Sequence, residues 1–155
     1  MTTAPTLSHA LQQMSDTLAA LRVLMRREQE LFAHARIDIT ALHDITQQKA
    51  ELLEQLERFE QQRRDVIEQQ GFNGRDRDSS QAAADAIGEG EHWQDILDAA
   101  RQVKSMNTVS ATIIEERSRI ERQQMKALRP EESEPLYGSS GRPQRSRVSR
   151  YRVVG

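Results

Sequence analysis

The residues that could do chemistry are few, and their spacing does not form a catalytic or metal-binding pattern. The four histidines have no HExxH motif and no i,i+4 partner that would present two imidazoles on one helical face. They are His9, His34, His43 and His92. The chain has no cysteine, which excludes disulfides, thiol nucleophiles and cysteine-ligated metal. We therefore interpret the histidines as surface or seam-edge side chains.

Phosphate-binding and carboxylate chemistry are not indicated either. The glycine-containing stretch "GFNGRDRD" lacks the Lys-Ser/Thr ending of a phosphate loop and follows no strand. Adjacent acids, such as Glu115 with Glu116 and Glu131 with Glu132, are expected on solvated faces. The sequence predicts a protein that is not an enzyme, with no cofactor and no small-molecule substrate.

Composition points to long helices. Of the 155 residues, 30% are charged and only 4% are aromatic, which favours an all-α domain with a modest core. The apolar run "LAALRVLM" is interrupted by Arg22 and is too short for a membrane span, and "MTTAPTLSHALQQ" does not resemble a cleaved signal. We expect a cytoplasmic protein without membrane insertion.

The first helix is predicted over about residues 7–35. No proline or glycine occurs between Pro5 and Gly71, and Ser8 is a plausible N-cap. Residues recur with 3-4 spacing along one face, as in a coiled-coil seam. This seam comprises Leu7, Leu11, Met14, Leu18, Leu21, Met25, Glu28, Phe32 and Ala35.

A second helix is predicted over about residues 38–70. Its seam is Leu42, Ile45, Lys49, Leu52, Leu56, Phe59, Arg63 and Val66. The two seams are out of step by three residues, which indicates either a stammer or a break. We favour a break near "RIDIT", with Asp38 as N-cap and Gly71 at the C-terminal cap. The alternative is one helix of about 95 Å that needs a dimer partner.

The third helix is predicted over about residues 91–128, after a linker at 71–90 in which "SSQAAADAI" could form a short helix capped by Ser79 or Ser80. Its seam is Ile96, Ala99, Val103, Met106, Ser110, Ile113, Arg117 and Ile120. Pro130 ends it.

The charged seam members Glu28, Lys49, Arg63 and Arg117 could extend to water from a helix edge, fix helix register or await a partner.

Residues 129–155 are predicted to be a flexible basic tail. From Arg129 onward there are six arginines and three acids, a net of +3, whereas the preceding residues carry a net of −5. Pro, Ser, Gly and Arg dominate the segment and cannot form a core. The tail could bind nucleic acid through phosphates, but a solvated extension is the preferred interpretation. Together, residues 1–128 are expected to form an antiparallel three-helix bundle or coiled-coil hairpin.

A family resemblance rests on these features. The stretch "LMRREQELFAHARIDITALHDITQQKAELLEQLERFEQQRRDVIEQQGF" is similar to the FlgN family of flagellar export chaperones. The matching positions are Glu28, Asp38, Leu42, Lys49, Leu52, Leu53, Leu56, Arg63 and Gly71. "MNTVSATII" and the tail sequence "LYGSSGR" agree as well, and the likeness covers most of residues 10–141. One departure is that Ser110 and Ala111 stand where relatives commonly have Asn-Gly.

The resemblance implies a cytoplasmic type III secretion chaperone without a cofactor. Its partners would be hook-associated proteins, whose C-terminal helical segments it would shield, and the flagellar export apparatus. Tyr137 lies in the tail, and flagellar chaperones of this kind are thought to reach the export gate through a tyrosine in a mobile segment. Two other functions remain open, a homodimeric coiled-coil scaffold without a client and a nucleic-acid accessory protein using the arginine-rich tail.

The end of the third helix supplies a candidate surface for the client. Its apolar residues are too sparse for a closed core, so they could share a seam with a helix of the partner. The candidate client-binding residues are Ile113, Ile114, Arg117, Ile120, Met125 and Leu128. For Ile113 and Ile114 a place in the bundle core is equally plausible, whereas Met125 and Leu128 favour partner binding.

Overall fold

The computed structural model describes residues 6–128, and within them every regular element is an α-helix. This confirms the all-α fold class. The basic tail at 129–155 lies outside the described residues. The helices are α1 (Leu7–Phe32), α2 (Ile39–Gln69), α3 (Arg77–Ala86) and α4 (Gly90–Leu128).

The chain divides into two compact units, the first ending at Ser110 and the second beginning at Ala111. The first unit contains α1, α2, α3 and the N-terminal part of α4. The described part of the second unit is the remainder of α4, residues 111–128. The long last helix therefore contributes to both units.

The chain leaves the helical conformation between α1 and α2, so a single helix over residues 7–70 is wrong. Asp38 caps α2 as predicted, with its Oδ1 accepting a hydrogen bond from the Ala41 backbone at 3.0 Å. The cap of α1 is Thr6 instead of Ser8. Thr6 has an extended backbone, and its Oγ1 accepts from the His9 backbone at 3.0 Å. α1 ends at Phe32, three residues before the predicted end.

The C-terminus of α2 is closed by a glycine with positive φ. Gly71 has φ 93°, which a side chain would strain. The Phe72 backbone donates to the Ile67 carbonyl at 2.9 Å, and Gly71 donates to the Glu68 carbonyl at 3.0 Å. These two bonds form a Schellman motif. Phe72 then packs against the core, so the chain turns back toward the bundle at this point.

The segment predicted as a linker contains α3. Asp76 is its N-cap and accepts from the Ser79 backbone at 3.0 Å, so the cap lies before the two serines proposed from sequence. Ala83 and Ala84 are buried in the core. Gly88, with φ 76°, closes the helix. A small apolar face is therefore enough to hold this ten-residue helix on the bundle.

α1 and α2 are antiparallel. Glu28, near the end of α1, is bonded to Lys49 of α2 at 3.1 Å. Leu7, at the start of α1, lines one cavity together with Val66 and Gln69 near the end of α2. Residue numbers thus rise along one helix as they fall along the other.

The N-terminal part of α4 runs parallel to α1 and antiparallel to α2. Arg22 of α1 donates to Gln102 at 2.9 Å. On α2, Lys49 meets Asn107 at 3.2 Å, while Arg63, further along α2, lies over the ring of Trp93. The first unit is therefore an up-down-up bundle of three helices, with α3 packed on it.

α1 is the central helix of the apolar core. It contributes six of the thirteen residues in the cluster, and these are seam positions identified in the sequence. Burial of such side chains is the main favourable term in folding. The cluster consists of Leu7, Leu11, Met14, Leu18, Leu21, Met25, Val66, Ile67, Ala83, Ala84, Trp93, Ile96 and Val103.

A buried carboxylate links the three long helices. Glu28 is 2% exposed, and both of its oxygens accept from Lys49 Nζ, at 3.1 and 3.2 Å. The same ammonium donates to Asn107 Oδ1 at 3.2 Å. Since a buried charge without partners is costly, this cluster favours one alignment of α1, α2 and α4.

Arg63 forms a second buried polar cluster at the other end of the bundle. Its guanidinium makes two bonds to Glu60, at 2.7 and 2.8 Å. It also donates to Ser80 Oγ at 3.0 Å and to the Gly74 carbonyl at 3.3 Å. The guanidinium carbon lies 4.5 Å from the Trp93 ring centroid, a cation–π distance. One side chain thus joins α2, the α2–α3 loop, α3 and α4.

We predict that Arg63→Ala lowers the free energy of unfolding by about 3 kcal/mol, because Ser80 Oγ and the Gly74 carbonyl lose their donor and a cavity forms beside Trp93. Urea denaturation measures the change. The control is Arg58→Ala on the same helix, whose exposed pair with Glu54 contributes only about 0.3 kcal/mol. Equal effects of the two substitutions would contradict the structural role of Arg63.

Glu89, between α3 and α4, has a pKa below its ordinary value, first because Ser8 hydrogen bonds to the carboxylate and then because His92 does. A lowered pKa in the folded state stabilises the protein above the unfolded pKa, and this contribution is lost as pH falls through the folded pKa. We expect Glu89→Gln to destabilise the protein at neutral pH, and this difference to disappear as the pH falls through the lowered pKa of Glu89. Urea denaturation at a series of neutral to acidic pH values measures it. The control is Glu57→Gln, at an exposed position of α2. Its stability difference from the unaltered chain should not change in this way with pH.

Candidate partner-binding surface

The C-terminal part of α4, residues 111–128, carries the predicted client-binding residues. This segment contains no proline or glycine, and Lys126 lies in the last turn, where a positive charge suits the helix dipole. Glu116 and Arg119 form an i,i+3 ion pair at 3.0 Å. Local interactions therefore support a helix in this segment.

The predicted residues lie along one side of the helix and form what we call the α4 stripe. It comprises Ile113, Ile114, Arg117, Ile120, Met125 and Leu128. Steps of three and four residues connect Ile113, Arg117 and Ile120, and such steps bring side chains onto one face. The other three residues flank this line, so the stripe is a strip of apolar groups with one guanidinium in it.

None of residues 111–128 is buried. Ile114, Ile120 and Met125 are 43–48% exposed, and Leu128 is 77% exposed. Ile113 and Arg117 are half-buried. A run of large apolar side chains in contact with water is unusual on a monomer and typical of an interaction surface.

The first-unit part of α4 behaves differently although its spacing is the same. Trp93, Ile96, Val103 and Ser110 are buried there. The 3-4 pattern therefore continues past Ser110 while complete burial of its residues stops. Sequence periodicity identified the stripe, and only the structure shows where burial ends.

Charged side chains lie beside the stripe and on the opposite face of the helix. Glu121 is seven residues from both Ile114 and Leu128, so it lies beside them. Glu115 and Arg122 are exposed on the opposite face. The pKa of Glu116 is lowered because Arg119 hydrogen bonds to its carboxylate. Residues 111–128 contain three acids and four bases, so neither sign dominates the segment. An apolar strip with a mixed polar rim resembles the composition of a protein–protein interface.

The stripe offers binding chemistry and no catalytic arrangement. Within residues 6–128, no three His, Cys, Asp or Glu side chains are grouped as metal ligands. No helix of this described part is long and apolar enough to cross a membrane. Tyr137, predicted to dock at the export gate, lies outside the described residues.

Three of the four charged seam residues have roles inside the first unit. Glu28 and Lys49 bind each other across α1 and α2, and Arg63 binds Glu60 and Ser80. These contacts favour register fixing over the two other interpretations offered for them. Arg117, the fourth, lies in the α4 stripe of the second unit.

Sequence reasoning missed a groove between α1 and α2. Its volume is about 430 Å³. Val23 is 48% exposed there, and Leu24 and Leu52 form part of its apolar wall. The signal in the sequence was Val23, which lies between two seam residues and so widens the apolar face of α1.

Comparison with known proteins agrees with the resemblance noted in the sequence. Residues 1–145 match the family described as FlgN protein. The chain is 30% identical to the flagella synthesis protein FlgN of Salmonella typhimurium over 135 residues, which cover 87% of this chain and 88% of the relative. Identity to the Escherichia coli K12 protein of the same name is 28% with the same coverage.

A third relative has the same description. The Proteus mirabilis flagella synthesis protein FlgN is 30% identical over 123 residues, or 79% of this chain and 80% of the relative. No solved structure matches the chain significantly. Because the family match extends from the start of α1 past the end of α4 and the relatives align over most of their own length, this chain belongs to the FlgN family.

Proposed function

We propose that this chain is a cytoplasmic export chaperone for flagellar assembly. In this proposal the α4 stripe holds the C-terminal helical segments of hook-associated proteins, prevents their premature assembly and releases them at the flagellar export gate. The family relationship supports a role in flagella synthesis. The observation that carries the finer proposal is the exposure of four large apolar side chains within fifteen residues of one helix.

The mechanism is helix-in-groove binding. An amphipathic client helix would place its apolar face along Ile114, Ile120 and Leu128, with the charged rim excluding incorrect orientations. Met125 is unbranched and polarizable and can adapt to different clients. No bond is made or broken, so client release requires only a competing interaction.

The binding free energy is large enough for a stable complex only if α4 and the client helix both bury apolar surface. Covering the exposed half of each of four side chains contributes roughly 1 kcal/mol apiece, and about 4 kcal/mol corresponds to a Kd near 1 mM. A client helix that buries a similar apolar area of its own brings the gross term to about 8 kcal/mol, near 1 μM before ordering costs. We therefore expect a client with a strongly amphipathic C-terminal helix.

Combined Met125→Ala and Leu128→Ala substitution should weaken binding of hook-associated protein C-terminal segments by about tenfold or more, because it removes two anchors of the stripe. Isothermal titration measures this loss. The melting temperature should change little because both side chains are exposed. The control is Glu115→Ala with Arg122→Ala, which conserves net charge on the opposite face and should bind normally.

Two results would contradict this proposal. A large drop in melting temperature would mean that Met125 and Leu128 belong to a core. Unaltered client binding by the Met125/Leu128 variant would mean that the stripe is not the client surface. Co-purification of the unaltered chain from its native cytosol should recover hook-associated proteins.

Tyr137 is proposed to dock the loaded chaperone at the export gate. A tyrosine supplies a rigid ring with large contact area at low entropic cost, and the glycine that follows it in the sequence, Gly138, is the residue type with the fewest backbone restrictions. Tyr137→Ala should abolish binding to the isolated gate platform while leaving client affinity unchanged, whereas Tyr151→Ala should affect neither. Unaltered platform binding and client secretion by Tyr137→Ala would rule out the docking role.

The two alternative functions have less support. The scaffold hypothesis relied on one continuous helix, and the break at residues 33–38 removes that premise. The nucleic-acid hypothesis relies on the arginine-rich tail, which lies outside the described residues. The residues before Arg129 carry a net charge of −5, which does not favour binding of a phosphate backbone.

A further inference from the structure

A second candidate binding site lies in the first unit, at the end of the bundle that contains α3. It is a pocket of about 420 Å³ between α2, the α2–α3 loop, α3 and α4. Five arginines and two acids line it, a net of +3. We call it the arginine pocket, and its charged lining residues are Arg63, Arg64, Arg75, Arg77, Arg101, Glu60 and Asp76.

The five arginines of the pocket differ in whether they already form an ion pair. Arg63 and Arg64 share the carboxylate of Glu60, and Arg101 is paired with Asp98. Arg75 and Arg77 form no ion pair with any residue in the described range 6–128. Both are exposed, so their guanidinium groups are free to bind an anion from solution.

The backbone at Gly74 and at the start of α3 places two of the arginines at the pocket. Gly74, buried beside Arg64, would place an added Cβ 2.8 Å from Glu68 Oε2 and 3.1 Å from Arg64 Cβ. Its carbonyl is bonded to Arg63. Arg75 follows Gly74 and lines the pocket, and Arg77 begins α3, where the helix dipole disfavours a cation. A bound anion would offset this unfavourable interaction.

We propose that the arginine pocket binds an acidic peptide segment of a partner protein through its carboxylates. Planar guanidinium groups match carboxylates with paired hydrogen bonds. The apolar part of the lining, which includes Leu97, would accommodate the methylene groups of glutamate or aspartate. The pocket is large enough for one or two such side chains and the backbone between them.

Nucleic acid fits this pocket less well. Stacking of bases requires an open aromatic face, but Trp93 is 6% exposed and lies under Arg63. The residues before Arg129 carry a net charge of −5, which repels a long phosphate backbone beyond the pocket. A positively charged cleft within residues of net negative charge favours a short acidic segment.

The acidic segment would bind independently of the client. The arginine pocket belongs to the first unit and the α4 stripe to the second, and they share no residue. Loss of acidic-peptide binding would therefore leave the client proposal intact, and loss of client binding would leave this one intact.

The test uses the full chain and measures its intrinsic tryptophan fluorescence. Trp93 is the single tryptophan and lines the pocket, so its fluorescence should change when a ligand enters. The probe is a blocked hexapeptide that alternates Glu and Ser, and its counterpart has Gln in place of Glu. We expect saturable binding of the Glu peptide that weakens as salt increases and no binding of the Gln peptide.

Matched substitutions locate the site. Arg75→Gln with Arg77→Gln should weaken the Glu peptide by about tenfold or more, since two charge-assisted contacts are removed. Arg26→Gln with Arg27→Gln alters two exposed arginines of α1 and should leave affinity unchanged. Arg77→Gln alone, a milder change, should weaken binding by about threefold or more. The melting temperatures should stay the same or rise.

Four outcomes would overturn the proposal, three of them in binding and one in stability. The binding outcomes are equal peptide affinity for the Arg75/Arg77 and Arg26/Arg27 variants, equal affinity for the Glu and Gln peptides, and tighter binding of tripolyphosphate than of the Glu peptide. The last result would assign the pocket to phosphate chemistry instead of an acidic segment. A lower melting temperature for both pocket variants would mean that Arg75 and Arg77 stabilise the fold and are not held for a ligand.

Discussion

Charged side chains within an apolar seam constrain how the helices of the first unit align. Glu28 and Arg63 are 2% and 4% exposed, and a charge at that depth is tolerated only where partners complete its hydrogen bonds. Lys49 binds Glu28 and also donates to Asn107, while Glu60 and Ser80 bind Arg63. A shift of α2 by one turn along α1 would keep apolar contacts but leave Glu28 and Lys49 apart.

The contacts of these buried charged residues also determine which part of α4 is available for partner binding. Lys49 fixes α4 through Asn107, and Arg63 fixes it through Trp93, so the buried stretch of this helix is anchored near both ends. Past Ser110 the apolar residues of α4 are no longer fully buried. The exposed residues of α4 can therefore bind a partner without removing any side chain from the apolar core of the first unit.

Arg63 also connects the core to the arginine pocket. One face of its guanidinium covers Trp93, and its edge binds Glu60 and the Gly74 carbonyl. Because Gly74 immediately precedes Arg75, the contact that stabilises the bundle also positions the pocket rim. Stability and ligand recognition are therefore coupled at this end of the first unit, whereas the α4 stripe lies in the second unit.

The sequence by itself determined the all-α class, the break before α2, the caps at Asp38 and Gly71, the residues of the α4 stripe and the family resemblance. These features depend on side chains within a few positions of each other, where periodicity and capping act. For the short helix α3 the sequence allowed a helix but placed its cap at Ser79 or Ser80 instead of Asp76, because two small apolar residues give a weak local signal and α3 is held by packing on the bundle.

Only the tertiary structure decided which charged seam residues are buried, where burial along α4 ends, and that arginines from 63 to 101 surround one pocket. Burial of Glu28 depends on Lys49 and Asn107, which are far away in the chain, and no local pattern records that they meet. The sequence therefore encodes which faces are apolar, while long-range packing decides which of those faces are covered and which remain available for binding.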